Sequence, residues 1–209
     1  MLELDTAVDS FEFSGGYLCL DFVNTLSDRL TIEVDLLNTY TDLLSWCREA
    51  KILNTEEIAQ LQTLAEVQPR EAAEWLTVSK QARELMHRIF NALASGVTVE
   101  EGELQAFNRL LSEAMAHSCL VVEEDGFVWG WESDGSRLDR PLWSIVRSAA
   151  DLLTSPERSL IRACASDDCG WLFLDTSKNH TRRWCAMKSC GNRAKARRHS
   201  RRKREAAAE

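Results

Sequence analysis

Four cysteines near the C-terminal end fall into two matched pairs: Cys164-x4-Cys169, then fifteen residues, then Cys185-x4-Cys190. Two pairs at one spacing suit a tetrahedral Zn2+ whose four positions are all filled by thiolates. Within each pair a single turn presents both sulfurs to one ion. The stretch between the pairs is long enough for a strand and a loop that bring the second pair back. Two disulfides would need an oxidising compartment, and nothing in the sequence points to export. Four unrelated core cysteines would not be spaced so regularly. A sulfur-only set implies a structural ion, because a catalytic zinc keeps one position open and often uses His or Glu. The deaminase pattern, with its Glu and its Pro-Cys-x-x-Cys, is absent. One structural zinc per chain is therefore expected at Cys164, Cys169, Cys185 and Cys190. The segment around them carries few large apolar residues, so the metal, worth about 10–16 kcal/mol in finger peptides at neutral pH, must do much of the ordering.

The second chemical signal is charge. Residues 1–150 hold 11 Lys and Arg against 26 Asp and Glu, a net of −15, whereas 151–209 hold 14 against 7, a net of +7. From Lys178 to Arg204 there are 12 basic residues and no acidic one. An acidic body with a basic end expects an anionic partner docked at that end, which the overall pI of 5.2 conceals. The candidate nucleic-acid contacts are Arg182, Arg183, Lys188, Asn192, Arg193, Lys195, Arg197, Arg198, Arg201 and Arg202. Most would touch phosphates and carry no sequence information. Arg193 or Arg197 could reach guanine edges, and Asn192 could pair with adenine if it does not cap a helix. Gly191 allows a turn, and a helix then runs from Arg193 to Arg204 with Ala and basic residues interleaved. It has no wide apolar face, so it should fray alone and order against phosphates.

Several helices must position this end. Apolar residues recur at three- and four-residue steps over 35–50, 55–65, 69–94, 101–117 and from Pro141 to about 153. Asn54 or Thr55, followed by Glu56 and Glu57, reads as a helix start. Pro69 fits a first helical turn, and Gly96 a terminator. Leu120–Glu124 and Phe127–Trp131 flank Asp125-Gly126, a hairpin signal. Trp171–Asp175 reads as a strand inside the zinc module. Gly15-Gly16 marks a turn before an apolar run that fits either a short strand or a buried helix. Asp21 and Asn24 sit inside that run, either as buried hydrogen-bonding groups or as the lining of a small-molecule pocket. Cys19, Cys47 and Cys119 are expected as free, largely buried thiols. The fold class expected is mainly α with a small β-hairpin: a helical body over 1–155 and a treble-clef-like or knuckle-type zinc module over 156–209.

No apolar run approaches the ~20 residues of a membrane span, and the acidic start is unlike a signal peptide. A cytoplasmic setting is the expectation. The four histidines are scattered, and no phosphate loop, nucleophile elbow or paired-carboxylate motif occurs, so no enzymatic activity is expected.

Taken together, the motifs resemble the bacterial CGNR zinc-finger proteins. The residues that carry the resemblance are Cys190-Gly191-Asn192-Arg193, the preceding C-x4-C, Trp171-Leu172-Phe173-Leu174-Asp175 and Arg182-Arg183-Trp184-Cys185. The same family has an N-terminal ABATE domain, whose opening motif the stretch from Gly15 to Thr25 resembles. The likeness covers nearly the whole chain. It implies zinc binding by the four cysteines, DNA binding by the surrounding basic residues, and stress-induced transcription regulation. The expected function is a zinc-dependent, DNA-binding transcriptional regulator. Its helical body would sense a small-molecule effector or form a homodimer. The alternative is an RNA-binding or protein-adaptor zinc module. If the acidic body is the sensor, removing residues 1–150 should leave DNA binding intact but remove any effector response, whereas loss of DNA binding would point to obligatory dimerisation.

Overall fold

The computed structural model describes residues 11–124, 126–132 and 137–206, without the side chains of residues 201, 202, 205 and 206. Among the described residues, seven α-helices order the chain. The apolar run after Gly15-Gly16 becomes a short buried helix, α1 (Leu18–Val23). The next helix, α2 (Tyr40–Glu49), starts later than its apolar residues suggest. Thr39 and Asp42 form a reciprocal capping box that fixes the first turn, while Asp35 is drawn into a strand. Asn54 caps α3 (Thr55–Val67) in a second capping box with Glu57. Pro69 opens the long α4 (Pro69–Ala94). Two more helices follow, α5 (Glu101–Met115) and α6 (Arg140–Thr154), and α7 (Asn192–Ala206) closes the chain. α4 is the central post, touching α1, α2, α3, α5 and the strand that opens the zinc module. Trp46, Phe22, Phe90, Met86 and Ile145 lie fully inside this core.

The strands of the described residues form three antiparallel pairs. β1 (Leu26–Ser27) pairs with β2 (Val34–Asp35). β3 (Ser118–Glu123) pairs with β4 (Gly126–Trp131), the expected hairpin. Its register closes on Glu123 opposite Gly126, so the loop lies one residue earlier than the Asp125-Gly126 signal placed it. Asp125 itself lies outside the described residues. β5 (Ile161–Ala163) pairs with β6 (Leu172–Leu174) and carries the first cysteine pair on its connecting loop.

β5 and β6 serve two cores at once. Ile161, Leu172 and Leu174 belong to the helical core. Phe173, which points the other way because strand side chains alternate, belongs to a second cluster with Trp171 and the four cysteines. The opening motif grips β6 on its free edge. Leu174 N–H donates to Gly15 O at 2.8 Å. Asn24 donates to Leu172 O at 2.8 Å and accepts from Leu172 N–H at 3.0 Å, so one side chain stands in for a neighbouring strand. Gly16 has φ +78, a conformation that favours glycine. The Trp171 indole adds a bond to Leu26 O, and Arg29 N–H one to Cys169 O.

A charged network backs this junction. Arg29 pairs with Glu84, and Arg83 makes a two-pronged contact with Asp35 at 2.8 and 2.9 Å. Burial pushes Asp35 up, but the Arg83 fork and the Leu37 N–H outweigh it and hold the carboxyl at about 2.

Candidate metal centre and basic interface

The four cysteine sulfurs lie within 4.8 Å of one another. Cys185 Sγ is 3.7 Å from Cys169 Sγ and 3.6 Å from Cys190 Sγ. A disulfide would need about 2.05 Å. Four thiolates about 2.3 Å from one tetrahedral zinc would stand about 3.8 Å apart, so the spacing fits the ion. All four are buried, at 7% exposure or less. Without a cation such crowding sets the sulfurs in conflict. Bonds from its neighbours Cys169 and Cys185 pull Cys164 well down, and the same sharing pushes Cys169 and Cys185 up. A divalent ion removes the conflict by letting all four ionise. Two donors already face the sulfurs: Cys185 N–H to Cys164 at 3.4 Å, and Arg193 Nη2 to Cys190 at 3.1 Å. The chain thus binds one structural zinc through Cys164, Cys169, Cys185 and Cys190. The ion joins the β5–β6 loop to the turn that launches α7.

That turn is a single π-helical stretch, Met187–Gly191, running directly into α7. Asn192 is the first residue of α7, and its amide donates to Lys188 O at 3.1 Å, tying the turn to the helix. Asn192 is therefore engaged as a local brace. Asp168 holds α7 against the first knuckle. It accepts from Ser166 at 2.7 Å and lies 3.5 Å from both Arg193 and Arg197. Those two arginines are four residues apart, so they share one face of the helix. Arg197 also donates to Ser166 at 2.9 Å, and Arg193 lies 3.8 Å from Asp28. The Ser166 hydroxyl, then Arg193 and Arg197, hold Asp168 below the usual carboxylate range. Arg193 and Arg197, the two candidates for reading bases, are thus the helix's anchors.

Arg182 needs a larger correction. Its guanidinium stacks 4.3 Å from the Phe173 ring centre and donates to the carbonyls of Ser14, Trp184, Leu174 and Cys185. With four carbonyls on one planar fork it is a strut between body and finger, and it leaves the phosphate-contacting set. Arg183, Lys188, Lys195 and Arg198 are exposed, with Arg183 lying over Trp184. Lys203 and Arg204 extend this exposed set. The side chains of Arg201 and Arg202 lie outside the described residues. Asp168, Ser166 and Asp28 were invisible as site residues in the sequence. The Ser-x-Asp just before Cys169 is the one local hint, and Asp28 is 165 residues from its partner Arg193.

A cleft of about 410 Å3 opens beside the sulfurs, between Glu12 and Asp28 on one wall and Lys188 and Arg193 on the other. Asp21 and Asn24 do not line it. Both are buried and turned to backbone groups, so the structure favours their hydrogen-bonding reading over a ligand pocket. Asp21 accepts from Gly15 N–H at 2.7 Å. Burial nevertheless pushes its carboxyl up to about 6, with the Gly15 bond opposing. A folded-state value above the ordinary one gives stability that is complete below pH ~4 and lost as pH rises through about 6. Asp21→Asn keeps the acceptor and removes the titration. It should be more stable than the parent by about 2 kcal/mol at pH 8, with the two converging near pH 4, in urea midpoints measured across that range.

Among the described residues no helix is long and apolar enough to cross a membrane. The chain matches two family models. Residues 16–156 match ABATE, described as "Putative stress-induced transcription regulator", and residues 161–203 match the CGNR zinc finger. No curated protein matches the chain.

Proposed function

We propose, from the premise that the chain belongs to the ABATE family and ends in a CGNR zinc finger, that it is a transcriptional regulator binding double-stranded DNA through α7 and the knuckle that launches it. One observation carries this reading. Zinc, Asp168 and the Arg193–Arg197 face fix the start of α7, and Arg183, Lys188, Lys195, Arg198, Lys203 and Arg204 are left exposed around it. Among the described helices and strands α7 packs chiefly on its own launching turn, and its anchored face is the one toward Asp168, so a phosphate backbone has access to the other side. Lys195 and Arg198, with Arg183, Lys188, Lys203 and Arg204, give six exposed cations for that backbone.

The modules divide the work. The body, 1–155, is the sensing or dimerising part, open to a small-molecule effector, and the finger, 156–209, is the reader. We assign the protein no catalysis and place it in the cytoplasm. The acidic body, with a net of −15 over residues 1–150, turns away from the duplex and so orients the complex.

Duplex affinity measured against salt tests the proposal. Six neutralised phosphates give a log–log slope of about −5. The pair Lys195→Ala and Arg198→Ala, both exposed, should flatten that slope by about 2 and leave zinc content unchanged. Chelation should abolish binding. A flat slope in the parent protein would sink the DNA reading, and preference for single-stranded RNA over duplex would replace it with the RNA-binding one.

A further inference from the structure

We propose that the β3–β4 ribbon is the surface through which two copies of this chain associate, face against face across a two-fold axis. This deepens the dimerising role given to the body, and its test does not depend on nucleic-acid binding.

The ribbon's burial pattern is unusual. An antiparallel pair normally turns one face to a core. Here both strands are exposed from Leu120 to Trp129. The cross-strand partners Leu120–Trp129 and Val122–Phe127 lie on one face, and these four are 64%, 54%, 73% and 75% exposed. On the opposite face Val121 and Val128 are less open, at 43% and 38%. A lone two-stranded ribbon is marginal in water, and four large apolar side chains clustered on one exposed face mark a contact surface.

The base of the ribbon is secured. His117 stacks on Trp143 of α6 at 4.3 Å, Trp131 lies 5.9 Å from the same ring, and Glu132 N–H donates to His117 O. The outer half is thus displayed from a fixed root, with Arg147 of α6 reaching over Trp129 and Leu120, Val122 and Phe127 left open.

Charge selects a second copy as the occupant. The tip carries Glu124, exposed beyond the last strand pair, and Glu123, exposed on the face opposite Leu120 and Val122. Near the root, Arg147 of α6 lies 4.8 Å over the Trp129 ring, and its own pair with Asp151 is long, at 3.7 Å. Two ribbons packed antiparallel about a two-fold axis place each acidic tip over the other's Arg147. One surface then supplies both halves of the complementarity, as an isologous contact requires. Leu120, Val122, Phe127 and Trp129 of each copy interdigitate at the usual sheet spacing of about 10 Å. A contact confined to one six-residue ribbon per copy is of the weak, transient class, so a dissociation constant in the micromolar range, about 10 μM, is expected.

Sedimentation equilibrium on the zinc-loaded full chain, from about 1 to 100 μM, reads this directly. The parent should pass from monomer to dimer, and Phe127→Asp should stay monomeric with unchanged zinc content and circular dichroism. Arg147→Glu should weaken the dimer by about tenfold. Adding Glu123→Lys and Glu124→Lys to Arg147→Glu should restore it, which a merely structural role for these residues would not do. A parent that is monomeric throughout, or a dimer untouched by Phe127→Asp, overturns the proposal. If Phe127→Asp fails to fold, the charge reversal decides, and absence of rescue overturns it equally.

Discussion

Replacing Cys169 with serine is expected to take zinc from one ion per chain to none and to lower the melting temperature by about 10–15 °C. The size of the effect follows from where the ion sits. Structural zinc contributes about 10–16 kcal/mol in isolated fingers, and a whole domain is stable by only about 5–15 kcal/mol. In a finger on a loose tether, losing the ion would unfold the finger alone and leave the body's transition unchanged. Here Phe173 packs on the zinc cluster while its neighbours Leu172 and Leu174 are fully inside the helical core. Loosening β6 therefore exposes apolar surface of the body as well. If about 4 kcal/mol of the loss reaches the body, the melting point falls by the stated amount at ~2–4 °C per kcal/mol for a chain of this size. Metal analysis with a thermal scan read at the far-ultraviolet helix signal checks both halves. A variant that loses its zinc yet melts where the parent does would show that the two cores are uncoupled.

The second large effect is expected far from any cysteine in sequence. Asn24 is 2% exposed and satisfies both the N–H and the C=O of Leu172. Asn24→Ala leaves both groups buried without partners, at about 1–3 kcal/mol each, so a loss of roughly 2–5 kcal/mol is expected in urea unfolding. The same change should weaken zinc binding by about tenfold in a competition with a chelator, since 1.4 kcal/mol passed along β6 suffices for that. Asn38→Ala is the control: Asn38 is also an asparagine bonding a carbonyl, Asp35 O, but it is exposed. Its removal should cost little and leave zinc affinity alone. Equal zinc affinity in the parent and in Asn24→Ala would count against the coupling.

Those two residues also mark where sequence reasoning reached and where it stopped. The cysteine quartet was legible because a tetrahedral ion demands a local pattern, and both pairs obey it within a few residues. The helices at 55–67 and 69–94 were legible for a similar reason. Their caps, Asn54 with Glu57 and the leading Pro69, are written beside them. The start of α2 was placed too early because Leu36 and Leu37 continue the apolar period. The deciding event, Asp35 captured by Arg83, joins positions 48 residues apart. Arg182 shows the same limit in the finger. By composition it is one more cation in a basic run, and only its packing on Phe173 among four carbonyls sets it apart. Arg193 and Arg197 could not be told from Arg198 until Asp168 was found on their side of the helix.

The shared ribbon β5–β6 bears on how such a protein can be cut and recombined. Residues 156–209 lifted out alone would carry Ile161, Leu172 and Leu174 into water, leave the free edge of β6 unpaired and strip Arg182 of Ser14. Removing residues 1–150 is thus expected to take more from the finger than a sensor, contrary to the reading of the body as a sensor alone. A working graft would have to bring the segment from Phe11 to Asp35 with it, or rebuild its grip on β6 in the new host. In this chain the unit of inheritance is the finger together with the opening motif that clasps it.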